Sequence, residues 1–229
     1  MSFIAETAHT CPVKVSAPEL NALVSLLQGA MSSERATRKA SEEHLVSCRY
    51  SKGHPVALFQ VLNAGQVDMS VRQMAAITLK NLCSTAWDPT ETGSLRLHEE
   101  DKTTVRGALL GALLQLPPNL RSQLTEVAKS VIYSDYPDKW PELLPTIVSG
   151  LSSGDWARIR AALQALRLVA RKYEFHTEDD KVPLYSTMAA TFPTVLALFK
   201  ALLELASADV AIAEMLKLIC KFFWSASFL

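Results

Sequence analysis

Five histidines and four cysteines are the residues of this 229-residue chain best suited to acid–base, nucleophilic or metal chemistry. The histidines stand alone, without the HExxH spacing that places two imidazoles on one helix face. The cysteines are far apart and form no CxxC pair, which favours reduced cytosolic thiols over zinc ligands or disulfides. We expect surface or turn histidines at His9, His44, His54, His98 and His176, and thiols on helix faces at Cys11, Cys48, Cys83 and Cys220.

Other catalytic patterns are also absent from the sequence. It contains no GxSxG nucleophile elbow, no P-loop and no GxGxxG dinucleotide motif. Adjacent carboxylates such as Glu99 and Glu100 lie on a helix surface and do not face each other across a cleft. Together with Asp101 they are expected in the first turn of a helix, where negative charge complements the helix dipole. The chain is therefore predicted to be a binding protein and not an enzyme, with no cofactor and no metal ion.

The composition predicts that helices position whatever this chain binds. It contains 33 leucines and 29 alanines, which are strong helix formers, and only 8 glycines. Lys and Arg together number 23 and balance 23 Asp and Glu, which argues against disorder and against a generally basic nucleic-acid-binding protein. No signal peptide is expected at the start. No membrane span is expected either, because the most apolar segments, residues 108–116 and 195–206, are shorter than roughly 20 residues and Lys200 interrupts the second.

Apolar residues recur at helical spacing in segments separated by short polar or proline-containing turns. Ser16, followed by Glu19, and Asp68 are predicted N-caps, and Val71, Ala75, Leu79 and Leu82 the apolar face of the fourth helix. The predicted helices span about 16–29, 33–48, 55–64, 68–82, 99–116, 119–134, 141–151, 155–173, 183–205 and 209–223. Five helix pairs spaced by about 40 residues predict an all-α fold, an armadillo-like α-solenoid superhelix of about five HEAT-type helical hairpins. A globular helical bundle is the alternative.

Several local features carry more specific expectations. Ala36, Ala40 and Leu45 are assigned to the inner side of the second helix, and the Gly107/Gly111 pair is interpreted as allowing close helix packing. Residues 87–94, which begin with a tryptophan, are predicted to form an exposed loop. Residues 174–181 are read as a solvated acidic loop, or alternatively as a contact for a basic partner.

The returning helices are richer in basic and amide residues than the neutral total suggests. A protein-binding surface and solvated helix faces with local ion pairs are equal alternatives for them. These residues are Arg35, Arg38, Lys39, Arg72, Gln73, Lys80, Asn81, Arg121, Gln123, Lys129, Arg158, Arg160 and Arg167. The last helix is only weakly amphipathic, so we expect the amino-terminal part of a longer array. The predicted organisation is an unplaced segment 1–15, a HEAT array 16–223 and a truncation tail 224–229.

Two motifs resemble a known family. The segment VRQMAAITLKNL at residues 71–82 resembles the second-repeat signature in the amino-terminal domain of the importin-β (karyopherin) family, and DYPDKWPELL at 135–144 is similar to its DYPxxWPxL element. In the second motif Pro137 is expected to end a helix, Trp140 to plug the turn and Pro141 to sit in the next first turn. Residues 99–106, 172–184 and 218–223 are similar to the importin seven/eight branch. The resemblance covers essentially residues 16–223.

The resemblance implies a nuclear transport receptor that binds the small GTPase Ran in its GTP form and takes part in protein import. It further implies phenylalanine-glycine nucleoporins, basic protein cargo and possibly importin-β as partners, and no direct nucleic-acid binding. The implied location is the cytoplasm, the nucleus and the nuclear pore. The candidate Ran-binding residues are Arg35, Arg38, Arg72, Lys80 and Asn81, and the structural motif comprises Asp135, Tyr136, Pro137, Trp140 and Pro141. For Asn81 a role at a helix C-terminus is an equal alternative. An exportin-like receptor and a non-transport HEAT scaffold remain open.

Overall fold

The structure, a computed structural model, describes residues 15–89, 94–205 and 209–227. In those ranges it consists of ten α-helices and one short 3-10 helix, Asp179–Lys181, with no strand. The helices are α1 Ala17–Ala30, α2 Arg35–Cys48, α3 His54–Asn63, α4 Met69–Ala86, α5 Glu99–Gln115, α6 Pro118–Asp135, α7 Leu143–Leu151, α8 Trp156–Tyr173, α9 Val182–Glu204 and α10 Val210–Ala226. All ten predicted helices are therefore present, with ends that differ by a few residues.

The chain forms two compact units, Met1–Val131 and Ile132–Leu229. In the first unit α1 packs on α2, α3 packs on α4, and α1 also contacts both α3 and α4. The predicted N-caps are confirmed. The Ser16 amide donates to the Glu19 carboxylate at 2.8 Å, and the Asp68 carboxylate accepts from the Ser70 amide at 2.8 Å. Each cap satisfies a backbone N–H that has no partner within its own helix.

The core of the first unit follows the predicted apolar face of α4. Val71, Ala75, Leu79 and Leu82 are all buried, as the helical period requires. The prediction that residues 87–94 form an exposed loop is wrong at its first residue, because Trp87 is 2% exposed and caps the end of α4. Residues 90–93 of that predicted loop lie outside the described residues, as does Cys11.

The prediction of which residues form the inner face of α2 is partly wrong. Ala36 and Ala40 are exposed, Leu45 is half-buried, and no residue of α2 is fully buried. The close contact with α1 is made at Ser41, whose Oγ would lie 2.2 Å from a Cβ added to Gly29. The glycine on α1 makes room for the serine, so the packed face of α2 is rotated away from its alanines.

In the second unit α8 packs against both α7 and α10, and α9 contacts α7, α8 and α10. On α5, in the first unit, the close helix packing predicted for Gly107 and Gly111 is not found, since a Cβ at either position would meet nothing within 4 Å. Instead Gly150 on α7 makes a close approach. A Cβ added to it would lie 2.9 Å from the Cβ of Ala162 on α8.

Helix α9 has the predicted length, but its apolar stretch extends beyond residues 195–206. Within the described residues, the helical stretch Asp179–Glu204 is long and apolar enough to cross a membrane by length and composition, with a mean hydropathy of 1.4 in its most apolar window. The expectation of no membrane-length apolar segment is wrong by this criterion, because it considered residues 195–206 alone and the helix continues through Pro193 toward its N-terminus. The same helix contacts α7, α8 and α10 within the second unit.

Candidate interaction surface

The α2 candidates lie at the start of that helix and differ in exposure. Arg35 is its first residue and is exposed. Arg38 is half-buried, and its guanidinium donates to the Ser32 carbonyl at 2.9 Å. That bond ties Arg38 to the turn between α1 and α2, and its three-residue spacing from Arg35 puts both residues on the same side of α2.

The α4 candidates divide between two faces of the helix. Arg72 is on the core side, is 9% exposed, and its Nε donates to the Leu62 carbonyl at 3.0 Å, near the end of α3. Lys80 is half-buried and Asn81 is exposed, both on the side away from the core. The alternative role for Asn81 at a helix C-terminus is wrong, because α4 continues to Ala86. Lys80 and Asn81 are therefore the α4 residues accessible to a partner, and Arg72 holds α3 against α4.

The structure places the four accessible candidates in two groups on different helices. No hydrogen bond or ion pair within the described residues joins the α2 group, Arg35 and Arg38, to the α4 group, Lys80 and Asn81. A neighbouring polar contact extends the α4 surface, since the Asn119 side-chain amide on α6 donates to the Gln73 carbonyl oxygen at 3.3 Å. Any partner that used both groups would have to span two helices, as a protein can.

A buried acid that sequence analysis assigned only to the helix dipole connects two hairpins in the first unit. Asp101 is 1% exposed, and its two carboxylate oxygens accept from the Gly53 amide at 3.0 and 2.9 Å. Burial raises the pKa of this carboxyl, and the bond to Gly53 opposes that rise. Gly53 has a φ of 85°, a left-handed conformation that favours glycine. Its partner lies 48 residues away, beyond what local spacing can indicate.

Residues 135–141 form a turn in the second unit that is buried on one side, while Asp138, Lys139 and Pro141 are exposed. The Asp135 carbonyl at the end of α6 accepts from the amides of Lys139 at 2.7 Å and Trp140 at 3.0 Å. Asp135, Tyr136 and Trp140 are buried, and Pro137 is the second residue after the helix end at Asp135. The expectation that Pro141 lies in the first turn of the next helix is wrong, since α7 begins at Leu143.

The same turn contacts α8 and α9 through Tyr136. Its hydroxyl lies 2.7 Å from Thr187 Oγ1 on α9, and Lys172 Nζ on α8 donates to the Tyr136 carbonyl. Because Thr187 already donates its single hydroxyl proton to the Pro183 carbonyl at 2.8 Å, Tyr136 is the donor to Thr187. Burial lowers the pKa of Lys172, against the opposing effects of Asp138 and Asp135. Through Tyr136, the turn after α6 is therefore bonded to both α8 and α9.

One histidine departs from the surface position expected for it. His54, the first residue of α3, is 8% exposed, and its Nε2 has no hydrogen-bond partner. Its Nδ1 lies 3.8 Å from Cys48 Sγ, and burial lowers the pKa of His54 to about 4. Burial also raises the pKa of Cys48, so both groups are neutral near pH 7. This pair lacks the ionised thiolate that nucleophilic chemistry requires.

Metal and thiol chemistry find no further support in the part of the chain that the structure describes. No group of three or more His, Cys, Asp or Glu there could hold a metal ion. Cys48, Cys83 and Cys220 are free thiols, and burial raises the pKa of Cys83 to about 12.

Comparison with known proteins places these helices in a family. Two family models match in chain order, the importin-beta N-terminal domain over residues 41–115 and the exportin 1-like protein over residues 117–227. The chain is also 35% identical over 192 residues to the importin beta-like SAD2 homolog of Arabidopsis thaliana, covering 84% of this chain and 18% of that protein. The chain belongs to the importin-β (karyopherin) family.

Further similarities connect this karyopherin chain to export receptors. It is 28% identical over 165 residues to exportin-2 of Drosophila melanogaster, covering 71% of this chain and 17% of that protein. The solved structure of the exportin Cse1 in its cargo-free, cytoplasmic state matches with a TM-score of 0.80 at 21% identity, covering 91% of this chain and 23% of that one. This match confirms the predicted fold class, all-α with HEAT-type hairpins of the α-solenoid kind. The chain spans about a fifth of the length of these relatives.

Proposed function

We propose that this karyopherin chain is the GTPase-binding end of a nuclear transport receptor, which binds Ran in its GTP form and takes part in protein import into the nucleus. The ordered match of two karyopherin models across residues 41–227 supports this proposal most strongly. The proposed contact residues are Arg35 and Arg38 on α2 with Lys80 and Asn81 on α4, because these cations and amides are accessible. Arg72 is proposed to support that surface through its bond to the end of α3.

The remaining partners are part of the same proposal. We propose that the receptor passes phenylalanine-glycine nucleoporins, carries basic protein cargo, sometimes together with importin-β, and is found in cytoplasm, nucleus and nuclear pore. The neutral pair of the half-buried Cys48 thiol and the buried His54 imidazole, together with the polar helix surfaces, supports binding over catalysis. We further propose that the chain acts without a cofactor, without direct nucleic-acid contact and without membrane insertion.

An exportin-like receptor is the second candidate, and specific observations favour it. The model that matches residues 117–227 is exportin 1-like, and several curated relatives are named exportin-2. The two candidates differ in the sign of one coupling. In an importer Ran and cargo each lower the other's affinity by the same factor, whereas in an exporter each raises it. The proposed Ran surface is shared by both.

The test is capture of Ran by the full 229-residue chain, with Ran loaded either with a non-hydrolysable GTP analogue or with GDP. We expect capture of the GTP form only. Charge reversal at the α4 surface, Lys80→Glu, should weaken capture about five-fold or more, the upper end of a surface ion pair. Lys200→Glu is the matched control, since Lys200 is an exposed lysine on α9 in the other unit.

The outcomes separate the alternatives. Absence of capture would refute Ran binding and favour the HEAT scaffold, and equal capture of both nucleotide forms would refute the GTP dependence that a transport receptor requires. Equal weakening by Lys80→Glu and Lys200→Glu would remove Lys80 from the site and leave Ran binding in place. Adding a basic protein cargo then gives the direction of transport, because loss of Ran capture indicates import and gain indicates export.

A further inference from the structure

The second unit contains a concentration of positive charge that the neutral total conceals. The helix bounds of α8 and α10 contain seven cations and a single carboxylate, while Lys and Arg in the whole chain equal Asp and Glu in number. The cations are Arg158, Arg160, Arg167, Arg171, Lys172, Lys217 and Lys221, and the carboxylate is Glu214.

Helical spacing aligns four of these cations into two short pairs. Arg167 and Arg171 are four residues apart on α8, and Lys217 and Lys221 are four residues apart on α10, so each pair lies on one face of its helix. The two helices pack against each other. Lys217, Lys221 and Arg171 are exposed, and Arg167 is half-buried. We call these four residues the cationic patch.

The other three charges of the cationic patch act on Lys221. The pKa of Lys221 is lowered first by Arg167, then by Lys217, then by desolvation and by Arg171, which shows that cations of both helices lie within electrostatic range. Only Arg171 has a described counter-charge, with its Nε 3.7 Å from a Glu174 carboxylate oxygen. Arg167 Nε is buried and has no hydrogen-bond partner. The fold therefore holds like charges together on a largely exposed surface, and a bound anion would offset their repulsion.

We propose that the cationic patch on α8 and α10 binds an acidic, extended polypeptide segment of a partner protein. Residues four apart on a helix are separated by about 6 Å along its axis. Alternate residues of an extended chain are about 6.6 Å apart, so carboxylates at every second position match this spacing. Trp224, which follows Lys221 by three residues and is 69% exposed, offers an apolar contact beside the charges.

A polypeptide fits the patch better than a nucleic acid or the chain's own acidic turn does. A nucleic-acid-binding protein usually carries an excess of positive charge, which this chain lacks. The acidic turn at residues 178–180 is engaged locally, since Glu178 pairs with Lys181 at 3.1 Å and accepts from Tyr185, and Asp180 accepts from Thr177 at 2.8 Å. The acidic partner proposed for this patch is distinct from the basic cargo of the proposed function.

The test measures fluorescence anisotropy of a labelled twelve-residue peptide, in which glutamate alternates with serine around a central leucine, titrated with the full chain. We expect the parent chain to bind the glutamate peptide, and to bind the same peptide with every glutamate replaced by glutamine at least ten-fold more weakly. Lys221→Glu should weaken binding about five-fold or more, and the exposed control Lys200→Glu should leave it within two-fold. Circular dichroism checks that both variants keep the parent's helix content.

The following results would overturn this proposal. They are absence of binding, equal binding of the glutamine peptide, equal effects of the two substitutions, or tighter binding of a labelled oligouridylate than of the acidic peptide. Because the assay contains no Ran, its result is independent of the proposed GTPase surface. Lys80→Glu should leave peptide binding unchanged, and Lys221→Glu should leave Ran capture unchanged.

Discussion

Buried His54 is predicted to make the first unit sensitive to mild acid. The imidazole is 8% exposed at the start of α3, its Nε2 lacks a hydrogen-bond partner, and burial lowers its pKa from 6.5 to about 4. In the unfolded chain the same imidazole should protonate near its ordinary pKa. As the pH falls, the unfolded chain therefore binds the proton first, and the free energy of unfolding decreases.

The size of the effect follows from the two pKa values. Between 6.5 and about 4 the unfolded state holds more protons than the folded state, so stability rises with pH across this window. From pH 7.5 to pH 5.0 this linkage predicts a loss of about 2 kcal/mol from His54 alone. Asp101 acts with the opposite sign, because its pKa is raised and stability falls as its carboxyl ionises. It therefore cannot mimic the loss on acidification.

The assay is urea unfolding at a series of pH values for the parent, His54→Gln and His44→Gln. His44 lies exposed on α2 in the same unit and is the matched control. His54→Gln should reduce the loss between pH 7.5 and pH 5.0 by about 2 kcal/mol, whatever its absolute stability, and His44→Gln should keep the parent's loss. Hydrogen exchange of the α3 and α4 amides would locate the change. The same pH slope in His54→Gln and the parent would refute the reasoning.

Two further predictions concern packing and a buried hydrogen bond. Gly107→Ala should stabilise the chain by about 0.5–1 kcal/mol, because a Cβ there meets open space within a helix. Gly150→Ala should destabilise the chain by about 1–3 kcal/mol, because the added Cβ would collide with the Cβ of Ala162. Thermal melts that showed the same change in stability for both variants would contradict this. Tyr136→Phe should cost about 1 kcal/mol through the lost bond to Thr187, and a double-mutant cycle with Thr187→Val should show coupling of that order, whereas additive effects would mean that the bond contributes nothing.

The sequence was sufficient for features that depend on near neighbours. The Ser16–Glu19 and Asp68–Ser70 caps span three residues or fewer, and their residue types and spacing are both visible in the sequence. The buried face of α4 was predictable for the same reason, since an 18-residue helix repeats its period several times. Family motifs at residues 71–82 and 135–144 added the class of protein, which no single period could supply.

Features that depend on a distant partner were not predictable in this way. Asp101 reads as an ordinary first-turn acid until Gly53, 48 residues earlier, is placed against it. Arg72 reads as a surface cation until its bond to the Leu62 carbonyl is seen. On α2, residue size suggested that the alanines face inward, but the glycine on α1 decides which side chain can approach. In each case the missing information is the position of a second helix.

The cationic patch shows the same limit at the level of charge. In the sequence Arg167 is one base among several on a returning helix, Lys221 lies in the family-like stretch 218–223 and Lys217 belongs to no motif, because each helix alone has an unexceptional charge pattern. Packing α8 against α10 brings their faces together across about 50 residues of chain, so that their charges add. A repeat array can therefore be neutral in total and still present strongly charged faces, because equivalent helices are stacked side by side. Binding surfaces in such a chain follow from charge summed over stacked helices, and net charge predicts them poorly.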